Sequence, residues 1–596
     1  MIRPHAAIPH SRPVHLPGAV AKGRTDADKL IQVTVVLWPN RLPGDHPAQR
    51  RADQFGDAWP TDRRPLSRSE FAALYAPPAD ALAAVLAEAR KKKIRVVDVS
   101  AARHDVILEA PVGVFERAYH LHQREYDHEL GHYRAPDGPI KMPGQLISVV
   151  QGVLGMDDIP HGKAHAAPPA PGGRSLTLAR LARHYRFPPR VSDSGRIAIL
   201  EFGGGLHLDD LKALRRTAAI RILEIKDGSG HRPGNNPLDR TTMLAIMRAW
   251  KRGVSFADLS EQFGSALMDF LETTEATMDA QIVCGLVPDA PVDLVFAHPC
   301  ADGWRRAIYA EIGFPYPGSV SGARLRNEPP ATVMSVSWGL KEAAWGRMKL
   351  RILHGTIRAA GRRGTTVCCS TGDFGSRNSP VPTKQRSVNY PATSPWALAC
   401  GGTGFARGRR EVVWLESFLG SDLAGGGGMS GHFRAPAFQA TVTKPNPGNT
   451  WIGGYHRSFK GRWIPDVSAH AGYNPGVAIR LLGRPFTGGG TSAATPIWAA
   501  LVARLAGHLG RPLGWLNPAL YVLAGGGALR DIRDGHNDLQ AARGRPMFYR
   551  ATKGWDPCTG LGAPNGTRLL AALRAGAGRS LRPDSAARRR RSRDGQ

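Results

Sequence analysis

Three short segments hold residues whose types and spacing suit nucleophilic and acid–base chemistry. In GGGTSAATPIWAAL (488–501), glycines lead into Thr491-Ser492 and a helix-compatible run follows. A serine at a loop-to-helix junction is expected to be exposed. The first backbone N–H groups of the helix have no intrahelical partner, so they can stabilise a developing oxyanion. Thr491 or Ser492 could equally cap the helix, the commoner role of an isolated Gly-Thr-Ser. In TTEATMDAQIV (273–283), Glu275 and Asp279 stand four apart and share one helical face. Two carboxylates so placed resist joint ionisation, which favours a shared proton and a raised apparent pKa. In CCSTGDFGS (368–376), Asp373 follows a strand-like run inside a Gly-rich turn. Taken singly, a solvated acidic face and a turn aspartate are the ordinary accounts of these acids.

The elements that must carry these residues read as layered α/β structure. Four apolar runs bounded by breakers predict buried strands: IAILEF (197–202), VDLVFA (292–297), TVMSVSWG (332–339) and TTVCCST (365–371). Helical stretches at about 258–284 and 340–361 separate them, the pattern of a parallel sheet covered on both faces. Active sites in such sheets lie at the carboxyl ends of strands. Upstream, IQVTVVLWP (31–39), SEFAALYAPPADALAAVLAEARKKK (69–93), IRVVDVS (94–100) and HDVILEAP (104–111) alternate strand-like and helical patterns and predict a separate α/β unit. HGKAHAAPPAPGGRS (161–175) has the Pro- and Gly-rich composition of an exposed linker and an easy protease target. A chain of 596 residues exceeds one ordinary core. The expected organisation is a disordered segment 1–30, an α+β unit 31–160, a linker 161–176, a main domain 177–575 and a disordered basic tail 576–596.

The three chemical segments, in this order, resemble the sedolisin family of serine-carboxyl peptidases, which share the subtilisin fold. VNYPATSPWALACGGTGF (388–405), GGGGMSGHFRAPAFQ (425–439) and RWIPDVSAHAGYNPG (462–476) are similar to further landmarks of that family. The resemblance spans roughly 31–570. It implies a subtilisin-like doubly wound parallel sheet preceded by an α+β activation prodomain that is removed by self-processing. It implies an acid-acting endopeptidase working through an acyl-enzyme on Ser492, with Glu275 as base, Asp279 polarising it and protonated Asp373 stabilising the oxyanion. Glu201 in LEFGGG and Trp338 in SVSWG stand where the family links residues to the catalytic carboxylates. DIRDGHNDL (531–539) and ATKGWDPCTGLGAP (551–564) are similar to its calcium loop. By position one Ca2+ would be held by the side chains of Asp531 and Asp556 and the carbonyls of Ile532, Thr552 and Gly554, an oxygen set calcium prefers. Two positions depart from the family pattern: Gly489, where serine is frequent, and Phe374, where serine is usual.

Other readings leave fewer residues explained. His354-Gly355-Thr356 is similar to the histidine segment of ordinary subtilisins, but His354 lies within a predicted helix and no Asp-Ser-Gly or Asp-Thr-Gly strand end stands upstream. An inactive peptidase-fold binding protein is disfavoured because all four catalytic positions carry the required residue types. Asp373-Phe374-Gly375 spells a kinase motif without the glycine-rich loop, strand lysine or His-Arg-Asp loop that accompany it. Lys and Arg exceed Asp and Glu by 79 to 49, yet the charge is dispersed Arg with no nucleic-acid-binding motif, so no specific nucleic-acid partner is expected. No apolar run is long enough to span a membrane. A monomer is expected whose partners are a protein or peptide substrate and its own prodomain as inhibitor. Secretion follows from the family, although residues 1–30 show no apolar signal run.

Overall fold

The computed structural model describes residues 5–581 apart from 165–173, 213, 215–218, 232, 319–324, 326–327, 380–382, 384, 407–409, 419–420, 441–460 and 540–548. An 8-stranded sheet forms its centre, in the order Ile220–Ile225, Val292–Ala297, Ile197–Glu201, Val333–Val336, Thr366–Ser370, Ala397–Phe405, Glu411–Val413, with Val467–His470 also paired to Ala397–Phe405. All pairings are parallel except that of Glu411–Val413. The chain starts at the middle strand Ile197–Glu201, moves to one side, then returns to Val333–Val336 and builds the other side. That reversal makes the carboxyl ends of these two neighbours a topological switch point.

Three of the four predicted strands are present to within one residue at each end, whereas TVMSVSWG (332–339) holds Val333–Val336 and the start of a second strand, Trp338–Lys341. Alternation across the sheet assigns each residue its layer. Ile197, Ile199, Leu294, Cys368 and Leu398 face the two long helices Ser265–Leu286 and Gly490–Leu509. Ala198, Leu200, Val295, Cys369 and Ala399 face the helices Ala301–Glu311 and Arg347–Arg362. The adjacent Cys368 and Cys369 therefore lie in different cores. The helix expected over 258–284 is two, Phe256–Phe263 and Ser265–Leu286, broken at Gly264, whose φ of 56° and ψ of −129° suit glycine alone. The helix expected over 340–361 begins only at Arg347, because Trp338–Lys341 is a strand. Four strands of the sheet were not predicted: Ala397–Phe405, which is interrupted by glycines, Ile220–Ile225, and the short Glu411–Val413 and Val467–His470.

The amino-terminal unit has a four-stranded antiparallel sheet, Arg95–Ser100, Asp105–Pro111, Leu30–Leu37, Val150–Leu154, with helices including Arg68–Tyr75 and Ala79–Lys91. The expectation of disorder over 1–30 is corrected. His5–Ala7 pairs with Lys141–Pro143 and Val20–Arg24 pairs with Gln123–His128, so backbone pairing rather than apolar periodicity orders the segment. Residues 582–596 and 165–173 lie outside the described residues. The unit packs on the helices Ala301–Glu311 and Arg347–Arg362. Asp105 pairs with Arg305 at 3.0 Å, and Asp157 with Lys349 at 2.6 Å.

Candidate active site

Each candidate side chain leaves a strand end or a buried helix at the switch point. Glu201 ends the middle strand, Ser337 and Trp338 follow Val333–Val336, and Asp373 lies three residues beyond Thr366–Ser370. Over these ends pass the helix Ser265–Leu286, bearing Glu275 and Asp279, and the start of Gly490–Leu509, bearing Ser492. The first of these helices is buried on all sides from Thr273 to Cys284, its threonines, Glu275, Asp279 and Gln281 included, as a helix enclosed between layers must be. Its approach is close. A Cβ on Gly488 would meet Met278 Sδ at 2.4 Å, so a larger residue at that point of the serine loop would require the Met278 side chain to shift.

Ser492, Glu275 and Asp279 are fully buried and Asp373 is 2% exposed. The expectation that Ser492 is exposed is thereby corrected; the packed helix pair covers it. Neither Glu275 oxygen nor Ser492 Oγ has a hydrogen-bond partner of ordinary geometry among the described residues. The two are nonetheless neighbours, because the Ser492 hydroxyl acts on the Glu275 carboxyl. Such contacts between catalytic groups are commonly long without substrate. Asp279 Oδ2 accepts from Ser337 Oγ at 2.5 Å, and the same hydroxyl reaches the Ser492 carbonyl oxygen at 3.4 Å. Glu201 accepts from Trp338 Nε1 at 2.8 Å. Asp373 Oδ1 accepts from the Thr491 N–H and hydroxyl, while Oδ2 has no partner among the described residues.

Burial dominates the electrostatics. It raises Glu275 well above the usual carboxylate range, aided by the charge of Asp279 and opposed by the Ser492 hydroxyl. It raises Glu201 likewise, again with help from Asp279. Asp279 is pushed up to about 8 by burial against the Ser337 hydrogen bond. Asp373 is pushed up to about 7 by burial against the two Thr491 hydrogen bonds. Asp279 is thus the common neighbour of Glu275 and Glu201, and the three share protons as a group. A hydroxyl beside a carboxyl of high proton affinity, with another carboxyl that is neutral at acid pH close by, can perform nucleophilic attack with acid–base assistance.

Sequence reasoning passed over Ser337, whose small polar side chain inside an apolar run carried no signal. From sequence, a cap at Thr491 or Ser492 is the alternative reading and Thr491 has no assigned part in the chemistry; in the structure it holds Asp373. His354 lies on the Arg347–Arg362 helix, across the sheet from the serine helix. Its Nδ1 is 3.0 Å from Ser394 Oγ, and burial lowers its pKa to about 3. The predicted calcium residues converge on one loop. Asp556 is buried and accepts from Cys558 N, Thr559 N and Thr552 N, and Asp531 accepts from Gly554 N at 3.1 Å. Arg533 also reaches Asp531, at 2.7 Å.

Comparison with known proteins bears on the family and the fold. Residues 17–159 match the family described as "Pro-kumamolisin, activation domain" and residues 310–515 match "Subtilase family". The chain is 30% identical over 578 residues to kumamolisin of Bacillus sp. (strain MN-32), covering 94% of each chain. It is 26% identical over 615 residues to the tripeptidyl-peptidase sed5 of Aspergillus fumigatus, covering 94% of this chain and 96% of that one. Among solved structures, a Pseudomonas sedolisin described as a serine-carboxyl proteinase superposes with a TM-score of 0.50 at 22% identity. That match covers 68% of this chain and 99% of the other, and it bears on the fold.

Proposed function

Because the chain belongs to the sedolisin family of serine-carboxyl peptidases, we propose that Ser492 attacks the carbonyl carbon of a bound peptide while Glu275 takes its proton. A peptidase with an activation prodomain acts on peptides and is held inactive by that prodomain. In the proposed reaction Asp279, held by Ser337, keeps Glu275 oriented and shares its proton. The carbonyl oxygen becomes an oxyanion that receives a hydrogen bond from protonated Asp373 through Oδ2. Of the first N–H groups of the serine helix, that of Gly490 donates to the Ala471 carbonyl and that of Thr491 to Asp373. The N–H of Ser492 itself is therefore the backbone donor assigned to the oxyanion. Glu275 returns the proton to the leaving amine, and water resolves the acyl-enzyme by the reverse use of the same groups.

What supports this reading is one observation: a buried serine hydroxyl with no ordinary hydrogen-bond partner lies beside a carboxyl whose proton affinity burial raises well above the usual range, so that its ionised form is a strong base for that hydroxyl. A subtilisin-type reaction through His354 lacks such support, since His354 is engaged with Ser394. The experiment is a pH profile of protein cleavage by the wild type beside Ser492→Ala. Activity confined to acid pH and lost in the variant supports the mechanism. Cleavage by Ser492→Ala, purified free of other proteases, would overturn it.

Asp531 and Asp556 fit a single Ca2+. The two carboxylates repel each other and raise Asp556, after burial, to about 7, as expected for acids that a cation would reconcile. The carbonyls of Ile532, Thr552 and Gly554 would complete the oxygen set, and the exposed Arg533 side chain would be displaced. Bound there, calcium would brace the loop rather than take part in catalysis. The protein is further proposed to be a secreted monomer with neither nucleic acid nor membrane as partner; among the described residues no helix is long and apolar enough to cross a membrane.

A further inference from the structure

The loops after Ile220–Ile225 and Val292–Ala297 bring together three residues that the proposed chemistry does not use, Asp227, His298 and Cys300. Their ligand atoms all lie within 4.8 Å of one another, the sole such trio of His, Cys, Asp or Glu among the described residues. Cys300 Sγ is 2.9 Å from Asp227 Oδ2, and His298 Nδ1 is 3.3 Å from the same oxygen. Donors at zinc distances in a tetrahedral site stand about 3.3–3.8 Å apart, so small side-chain adjustments would admit an ion. Asp227 is already oriented for this. Its Oδ1 accepts from the backbone N–H and hydroxyl of Ser229 at 2.9 and 2.6 Å, which leaves Oδ2 for the cluster.

A further imidazole stands beside the trio without belonging to it. The His231 ring stacks on that of His298 with centroids 4.0 Å apart and planes within 7°. Asp227 and Cys300 are buried, while the His231 side chain is 44% exposed and gives an ion a path from solvent. We propose that Asp227, His298 and Cys300 bind a divalent transition metal of the zinc class, with His231 turning out of its stack on His298 to supply the fourth ligand. The combination of thiolate, imidazole and carboxylate selects such an ion over calcium. One thiolate and one carboxylate neutralise its charge. The Cys300 proton, now donated to Asp227, leaves for solvent when sulfur binds the metal.

The site also touches the prodomain. Gly228 O accepts from Gln32 N at 3.3 Å, Pro299 O accepts from His161 N at 2.8 Å, and His231 lies 3.9 Å from Asp158. A metal that ties the two loops would therefore fix the surface on which the prodomain rests.

The test uses the full-length Ser492→Ala chain at neutral pH, titrated with Co2+ and then with Zn2+. The expected result is one Co2+ per chain, a thiolate-to-cobalt charge-transfer band, tetrahedral visible bands, and loss of both on adding Zn2+. Cys300→Ser should abolish the charge-transfer band and weaken Co2+ binding at least about 100-fold, beyond what outer-sphere changes produce. Cys300 caps the Ala301–Glu311 helix through Sγ, and serine is itself a favoured cap, so the variant should fold with an unchanged melting temperature without metal. His231→Ala, at an exposed position, should weaken binding about tenfold without unfolding risk. Absence of a thiolate band in the parent chain, or a band that survives Cys300→Ser, would overturn the proposal. Cobalt held by the oxygen ligands around Asp531 gives no such band, so the two sites cannot be confused.

Discussion

Thr491 gives both its backbone N–H, at 2.9 Å, and its hydroxyl, at 2.8 Å, to the same oxygen of Asp373. These bonds favour the charged form, and burial outweighs them to leave Asp373 at about 7. Asp373→Asn keeps a donor but cannot ionise. It should lower kcat by about 10²–10³, the usual loss for a misaligned oxyanion donor, and flatten the alkaline limb of the pH profile. Thr491→Val removes one bond to the carboxylate, so Asp373 should ionise at higher pH and the alkaline limb should move up, with a smaller rate loss of about tenfold. An alkaline limb unmoved in both variants would remove Asp373 from the reaction.

Peptidase activity itself should peak at acid pH and decline between pH 5 and pH 8, because the proposed donor is lost as Asp373 ionises through about 7. His354→Asn should leave kcat/KM within about twofold. A steady rise in activity from pH 5 to pH 8, or a large loss in that variant, would restore a histidine base.

The buried acids also couple stability to pH. Glu201, Glu275 and Asp279 have raised pKa values, so the native state keeps protons that the unfolded chain releases above about pH 4. Stability contributed this way is present below that value and is lost as pH rises toward the native pKa, about 8 for Asp279. Each such group contributes up to about 1.4 kcal/mol per pH unit in that window. In the Ser492→Ala chain the melting temperature should fall from pH 5 to pH 8. Glu201→Gln, which can still accept from Trp338, should make the fall shallower. An equal slope in both would show that Glu201 ionises at its ordinary pKa in the folded protein.

Chelation offers a separate check on the carboxy-terminal loop. If Asp531 and Asp556 hold calcium, a ligand that binds only the native state stabilises it by mass action, by about 2.7 kcal/mol at a hundredfold excess over Kd. Removing calcium should lower the melting temperature of the wild type, and Asp531→Ala should show the lowered value with no response to added calcium. A wild-type melting temperature indifferent to both chelator and calcium would exclude the site.

How far these features could be read from residues alone depended on whether the signal was local. The spacing of Glu275 and Asp279 and the apolar run before Asp373 express helix and strand periods, so their placement on a helix and near a strand end was legible, whereas the burial of that helix was not. Ser337 was not, because its importance lies in a 2.5 Å contact with Asp279, 58 residues away. The pairing of Val20–Arg24 with Gln123–His128 was invisible for the same reason. The Asp227, His298 and Cys300 cluster joins two loops across parallel strands, and no spacing within either loop announces it.

Self-processing follows from where the two ends of the linker are fixed. Lys163–Ala164 pairs antiparallel with Trp338–Gly339, beside Ser337 and Glu201 of the proposed site, so the linker enters along the strand a substrate would use. Ser175–Leu176 already pairs with Gly476–Val477 in the catalytic domain. The first cut should therefore fall between Ala164 and Ser175. Incubation of the wild type at about pH 4, near the reference carboxylate pKa, should yield a catalytic fragment whose amino terminus, read by mass spectrometry, lies in that interval, while Ser492→Ala stays intact. Separation of the halves should need stronger acid than the cut. Burial alone would raise Asp105, but Arg103 and Arg305 outweigh it and hold the carboxyl below its usual value. The stability that Asp105 lends the interface is present above about pH 4 and is lost only as pH falls through that lower value. Size-exclusion chromatography at pH 4 should thus find the cleaved prodomain still bound, and Asp105→Asn should release it. Intact wild type after acid treatment, or a first cut outside 164–175, would show that the amino-terminal unit is not removed by the site beside Trp338.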